Sequence, residues 1–306
     1  MTLRIGTRAS ELAVAQSSQF ADRLKELTGV ETELVYVKTE GDRNQAPLTE
    51  IGGQGIFVAA LREALAAGEV DVAVHSLKDL PTTPDPRLVI AAIPLREDAR
   101  DVVVARDNLT LGELPQGSRV GTGSPRREAQ LNALGLGVDV VAIRGNVGTR
   151  IDKVRNGELD AVVLARAGLA RLGRVSDATE TLDPLQMLPA PGQGALAGEC
   201  RADDVATIQL LQRLDDMDTR AAVTAERSLL ATLEAGCTAP VGALAEVAMG
   251  DDGDELWLRA IVGDVSGAPT IRMSATGSPA DATAVGERLA VEMLAEGAAA
   301  LMAVVS

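Results

Sequence analysis

A chain of 306 residues, 46% of them hydrophobic and 24% charged, is long enough for two or three packed domains, and aromatics at 1% leave the core to Ala, Val, Leu and Ile. A formal net charge of −15 argues against nucleic acid and anionic lipid as partners. One histidine and two cysteines, with no CxxC pair, exclude a multi-histidine metal site and a disulfide scaffold, while the lack of a membrane-length apolar run or an export pattern predicts a cytoplasmic chain.

Along the chain, Leu3–Gly6 reads as a strand, and Leu12, Phe20, Leu24 and Leu27 mark one face of the helix that follows. A helix carrying Phe57, Leu61 and Leu65 leads into a buried strand at Val70–Val74. Further strands are predicted at Val102–Ala105, Ser118–Gly121, Val138–Ile143 and Asp160–Leu164, with helical stretches between several of them. That alternation argues for open α/β sheets. Residues 66–74 (AAGEVDVAV) are echoed by residues 155–163 (RNGELDAVV), and their glycines, Gly68 and Gly157, stand 157 − 68 = 89 residues apart. The echo favours two similarly built domains over a merely common way of stopping a helix at glycine. After about residue 215 a helix over Thr219–Ala235 precedes strands near Val241–Val247, Leu256–Val262 and Thr270–Ser274, and a helix over Asp281–Met302 closes a smaller α+β domain. The acidic stretch Gly250–Glu255 reads as a solvated turn.

Five cations fall just after predicted strands: Arg8, Lys78, Arg126, Arg127 and Arg144. Ligands of open α/β sheets bind at the carboxyl ends of strands, and arginine pairs two-to-two with carboxylate oxygens. In Gly121-Thr-Gly-Ser-Pro-Arg-Arg127, Ser124 suits a helix N-cap and Pro125 the first helical position, so free N–H groups and two arginines converge on an anion. Arg144-Gly-Asn-Val-Gly-Thr-Arg150 is a second such element. Neither is a nucleotide loop, and at this level phosphate and carboxylate stay equally open.

Asp79, beside Lys78 and ahead of Leu80-Pro81, is expected to stay ionised among cations, where it can stabilise a cationic intermediate or exchange a proton with an N–H; an ordinary capping aspartate fits the spacing as well. His75 is read as a packing residue. Cys237, on a Gly-flanked loop after a helix, is either an exposed nucleophile or a small buried hydrophobe, and Cys200 in an apolar run fits the second description.

The stretches RIGTRASELAVAQ (4–16), GGQGIF (52–57), VDVAVHSLKDLPT (70–82), REDARD (96–101), VGTGSPRREAQL (120–131), RGNVGTRIDK (144–153), LARAGLARLG (164–173), LPAPGQGALAGECR (188–201), AERSLLATLEAGCTAPVGA (225–243) and LRAIVG (258–263) together resemble the porphobilinogen deaminase (hydroxymethylbilane synthase) family. The resemblance implies a transferase of heme and tetrapyrrole biosynthesis that adds four porphobilinogen units to a covalent dipyrromethane cofactor and releases linear hydroxymethylbilane. Cys237 matches the cysteine holding that cofactor by a thioether. Asp79 matches the catalytic carboxylate, which also contacts the cofactor and stabilises the azafulvene formed when ammonia leaves. Lys78, Ser124, Arg126, Arg127 and Arg150 match residues pairing with the cofactor's acetates and propionates, and Arg8, Ser10, Arg144, Arg150 and Arg171 match substrate-binding positions.

The implied architecture is α/β: two type II periplasmic-binding-protein-like domains, residues 1–95 with 195–214 and residues 100–190, and a smaller C-terminal α+β domain over 216–306. The crossings are expected near Pro94–Arg100 and Leu188–Ala195. Departures from the family pattern fall at Gln54 (often lysine), Glu11 (often proline), Pro125 (often leucine) and Ala235 (often glycine). The implied partners are porphobilinogen and a transient hand-off to uroporphyrinogen-III synthase, with no metal, no nucleic acid and no membrane, and the chain is expected to be a monomer. The competing reading is a non-catalytic binding module for a polycarboxylated small molecule, which would need neither Asp79 nor Cys237.

Overall fold

The computed structural model describes residues 2–37, 55–236, 239–250 and 253–302. They divide into two compact units, Met1–Glu97 with Ala195–Arg220, and Asp98–Gly194 with Ala221–Ser306. Elements are numbered along the chain.

Unit 1 is built on a five-stranded sheet in the order β2-β1-β3-β10-β4, with β1 Thr2–Thr7, β2 Glu31–Tyr36, β3 Val72–Ser76, β4 Leu88–Ala92 and β10 Leu196–Arg201. Strands β1, β2 and β3 run parallel, while β10 runs antiparallel to both neighbours. Helix α1 (Glu11–Thr28) starts where the Ser10 hydroxyl accepts from the Ala13 N–H at 3.3 Å and stops at Gly29, whose φ of +71° suits a residue without a Cβ. Its apolar face, Phe20, Ala21 and Leu24, packs on Leu3, Ile5, Val72 and Val74. Helix α2 (Gly55–Ala66) covers the other face through Leu61, Ala64 and Leu65, with Val70 and Ala73 beneath. Each fully buried Leu or Ile of this kind contributes roughly 1.5–3 kcal/mol.

The first sheet of unit 2 repeats that plan in the order β7-β6-β8-β5-β9, with β5 Asp101–Ala105, β6 Arg119–Thr122, β7 Asp139–Ala142, β8 Ala161–Ala165 and β9 Glu180–Thr181. Here β5 is the antiparallel insertion. The echo between residues 66–74 and 155–163 is the same corner of the two sheets. Gly68 (φ +72°) and Gly157 (φ +73°) end the preceding helices, and β3 and β8 occupy matching positions. In the first copy the Asp71 N–H donates to Arg4 O at 2.8 Å and Arg4 returns its own N–H to the Asp71 carboxylate at 3.0 Å. In the second, Asp160 N–H donates to Arg119 O at 2.9 Å and the Arg119 N–H reaches the Asp160 carboxylate at 2.7 Å. The arginine side chains repeat as well, donating to Gly68 O and to Glu158 O.

The second sheet of unit 2 is an antiparallel meander of β11 (Val241–Gly250), β12 (Gly253–Gly263) and β13 (Thr270–Gly277). One of its faces packs against α7 (Met217–Thr232) and α8 (Ala282–Ala295). Leu244 and Ile261 on the other face meet Ala99 and Leu188. The single closing helix expected over Asp281–Met302 is two, α8 and α9 (Ala298–Met302), because Gly297 at φ +99° ends the first. The fold class is the expected α/β one: two five-stranded sheets built to one strand order and a smaller α+β part.

Candidate functional site

In unit 1 the parallel strands deliver the acid and its cations to one end of the sheet. Arg8 and Ser10 follow β1, both half-buried, and Lys78 and Asp79 lie on the short 3-10 turn Leu77–Asp79 that continues β3. That turn is pinned by the Leu77 N–H, which donates to Ala195 O at 3.0 Å. Asp79 is half-buried as a residue, yet burial of its carboxyl raises its pKa above the ordinary carboxylate value, against the opposing pull of Lys78, Arg8 and His75. The sequence expectation weighed only the cations; the depth of the carboxyl group outweighs them.

The same sheet carries a buried group that composition alone hides. Glu199 on β10 is 2% exposed, and Arg62 of α2 grips it with Nη2 at 2.7 Å and Nε at 3.1 Å. His75 Nε2 lies 3.2 Å from Glu199 Oε2, an ionic approach without the alignment of a good hydrogen bond. Burial would raise the pKa of Glu199, but His75 and Arg62 outweigh it and the carboxyl stays below its usual value.

In unit 2, β5 opens with Asp101, which is 0% exposed and was not singled out from the sequence. It accepts from Arg126 Nη2 at 2.7 Å, Arg127 Nη2 at 2.8 Å and Gln193 Nε2 at 2.8 Å. Burial would raise its pKa, but the two guanidiniums win and hold it far below the carboxylate range. Arg126 also donates to Leu188 O and Arg127 Nη1 to Val163 O at 2.9 Å, so both arginines, 3% and 6% exposed, are anchored inside the unit. Their Nε atoms remain buried with no hydrogen-bond partner among the described residues.

Helix α3 (Pro125–Ala133) begins at Ser124 as expected, but the Ser124 hydroxyl makes no capping bond. Next to it Gly123 lies tight against the neighbouring backbone: a Cβ there would sit 2.6 Å from Ile143 O, with Arg150 Nη2 3.9 Å away. Arg150, on α4 (Val147–Arg155), gives Nε to Gly145 O at 2.8 Å, and no carboxylate among the described residues pairs with it. Burial first, and the charge of Arg127 second, lower its pKa. Two guanidiniums, Arg126 and Arg127, thus share one carboxylate, and Arg150 adds a third positive charge near Arg127. Arg144 is exposed. Arg171, at the end of α5 (Arg166–Arg171), donates to Gly194 O at 2.6 Å.

Cys237 and Gln54 lie outside the described residues. Cys200 is the buried thiol that was expected, and burial, followed by Asp204 and Glu199, pushes it up to about 12. Glu226 of α7 is a further buried acid missed in the sequence, accepting from Gly192 N–H at 2.6 Å and Ala245 N–H at 2.8 Å. The signal for such residues is an acid inside an otherwise apolar strand or helix face, as in Asp101-Val-Val-Val-Ala105. Among the described residues no cluster of potential metal ligands occurs, and no helix is long and apolar enough to cross a membrane.

Residues 3–209 match the family described as "Porphobilinogen deaminase, dipyromethane cofactor binding domain", and residues 220–295 match "Porphobilinogen deaminase, C-terminal domain". The Porphobilinogen deaminase of Mycobacterium tuberculosis (strain H37Rv) is 58% identical over 305 residues, covering 98% of this chain and 98% of that protein. Porphobilinogen deaminase 1 of Streptomyces coelicolor is 59% identical over 309 residues, covering 98% and 97%. Among solved structures the methionine binding protein MetQ overlays 70% of this chain and 89% of its own at a TM-score of 0.45 and 13% identity, too distant a likeness to carry an argument.

Proposed function

The chain belongs to the porphobilinogen deaminase family, and on that premise we propose how its own residues carry the reaction. The activity is that of a hydroxymethylbilane synthase, a transferase of tetrapyrrole biosynthesis that condenses four porphobilinogen molecules with loss of ammonia and hydrolyses off the linear product. A binding module without chemistry is not favoured, because family membership spans nearly the whole chain. The dipyrromethane cofactor, when bound, supplies the pyrrole carbon to which the first substrate is joined.

The residues fit that group. A dipyrromethane carries four carboxylates, and the unit 2 cluster holds an excess of cations over its single acid and a hydroxyl not used for capping. We assign Cys237 the thioether, and Ser124, Arg126, Arg127, Arg150, Lys78 and Asp79 contacts to the cofactor. Since Asp101 takes the Nη2 atoms of Arg126 and Arg127, these two act toward a ligand through their remaining N–H groups and their charge, whereas Arg150, with Nε given to Gly145 O, offers its two terminal nitrogens. Arg8, Ser10, Arg144, Arg150 and Arg171 bind carboxylates of porphobilinogen. Asp79 accepts the pyrrole N–H and balances the positive charge that develops as ammonia departs, and its raised pKa suits a group that must also hand a proton back. The residue divisions 1–95 with 195–214, 100–190 and 216–306, a cytoplasmic monomer, and direct delivery of product to uroporphyrinogen-III synthase complete the reading.

The observation that carries it is Asp79 set among Lys78, Arg8 and His75 in a chain of this family. The test is intact mass under denaturing conditions before and after brief exposure to porphobilinogen. A covalent excess of two pyrrole units on Cys237, growing in single-pyrrole steps, is expected. A bare chain mass that neither cofactor reconstitution nor substrate changes would overturn the proposal.

A further inference from the structure

Resting on the role given to Arg126 toward the cofactor, we propose that Gln130 is a positioning residue for that arginine, acting through the backbone of Leu188. Gln130 lies one turn after Arg126 on α3 and is 3% exposed, a polar side chain where a hydrophobe would serve for packing alone. Its amide serves one residue at both ends: Oε1 accepts the Leu188 N–H at 2.8 Å and Nε2 donates to Leu188 O at 3.0 Å. Leu188 belongs to no strand or helix, so no ladder satisfies its buried backbone, and the glutamine stands in for one. The same carbonyl accepts from Arg126 Nη1. Gln130 Nε2 also lies 3.3 Å from Arg126 O, which ties the amide to the turn that carries the arginine.

The Arg126 guanidinium is thus located by two acceptors, Asp101 for Nη2 and Leu188 O for Nη1, and two fixed points on a rigid plane set its orientation. Asp101 is placed by β5. The Leu188 side chain packs on Ala99, Leu244 and Ile261, which holds the residue but not the tilt of its carbonyl; Gln130 holds the tilt. What the two anchors leave unused is the Nε–H of Arg126, buried and without a hydrogen-bond partner among the described residues, and its direction follows from them. Two residues beyond Gln130, Asn132 Nδ2 donates to Val265 O at 2.6 Å, a brace of the same helix that bypasses Leu188.

The test times cofactor loading. Full-length protein freed of cofactor is mixed with porphobilinogen, and the two-pyrrole excess is followed by intact mass at a temperature where circular dichroism shows each variant folded. Gln130→Met, which removes the amide and keeps an unbranched side chain, is expected to load about ten- to a hundredfold more slowly, the order that a misplacement of about an ångström costs. Asn132→Leu, which loosens α3 elsewhere, is expected to load like the parent. Arg126→Lys is expected to load slowly by itself, and adding Gln130→Met is expected to slow it no further, because both losses run through one guanidinium. Loading of Gln130→Met at the parent's rate overturns the proposal. So does equal slowing in Gln130→Met and Asn132→Leu, or losses that multiply in the double variant, since a general brace of α3 would give either. Should Arg126→Lys not fold, the comparison of Gln130→Met with Asn132→Leu decides alone. A folded Arg126→Lys that loads at the parent's rate removes the role of the arginine, whereas a slow Arg126→Lys beside an unaffected Gln130→Met removes only the positioning.

Discussion

Replacing Asp101 with asparagine keeps the shape of the side chain and deletes its charge beneath Arg126 and Arg127. Both guanidiniums stay buried, 3% and 6% exposed, and no other carboxylate among the described residues bonds to them. Removing one partner of a buried ion pair costs about 3–5 kcal/mol, because the cost is the charge left behind and not merely the lost bond. With about 2–4 °C per kcal/mol for a unit of this size, the melting temperature should fall on the order of 10 °C. The sign with pH follows from the depressed pKa. Asp101 contributes fully above its unfolded value of about 3.9, and that contribution is lost as pH falls through its lower folded value. The gap between parent and Asp101→Asn is therefore level from pH 7 to about 4 and closes below. Urea unfolding followed by fluorescence of Trp257, the single tryptophan and a residue of β12 in the same unit, reads it directly. A gap under about 1 kcal/mol at pH 7, or one that widens in acid, would refute the assignment of Asp101 as counter-charge.

Asp79→Asn should fold like the parent and lose about two to four orders of magnitude in kcat, measured by formation of hydroxymethylbilane. Iodoacetamide at pH 8 should label native protein that lacks its cofactor on Cys237 and spare Cys200, whose thiol is pushed up to about 12, with both labelled after unfolding; mass spectrometry of the peptides decides. Gly286→Ala should cost about 1–3 kcal/mol in urea unfolding, because a Cβ on α8 would strike Ala225 O and come within 2.9 Å of Leu229 N on α7. Gly112→Ala, with nothing within 4 Å of the added carbon, should be nearly neutral.

Much of the scaffold was legible because periodicity and glycine stops report local physics. The Gly68 and Gly157 stops were visible as an echo, and the structure extends them to a repeated Arg–Asp clamp whose members, Arg4 with Asp71 and Arg119 with Asp160, are far apart in sequence. Strand β10 was seen only as an apolar run, since an antiparallel insertion has no signal of its own when both its faces are buried. The arginines were harder. An arginine at the start of a helix looks the same in sequence whether it faces a ligand or a buried acid, and Asp101 lies 25 positions from Arg126. Asp79 was found, but the depth that raises its pKa depends on elements brought together only by folding.

The insertion of β10 also dictates an order of assembly. Among the described residues strand β4 pairs with its sheet through β10 alone, so in a nascent chain that has emerged to Ala92 it lacks that partner until Arg201 follows. The β5–β9 sheet, by contrast, draws all its strands from Asp101 to Thr181. During synthesis the later sheet can close first, and the N-terminal one waits for the ribosome to deliver the strand that joins β4 to β3.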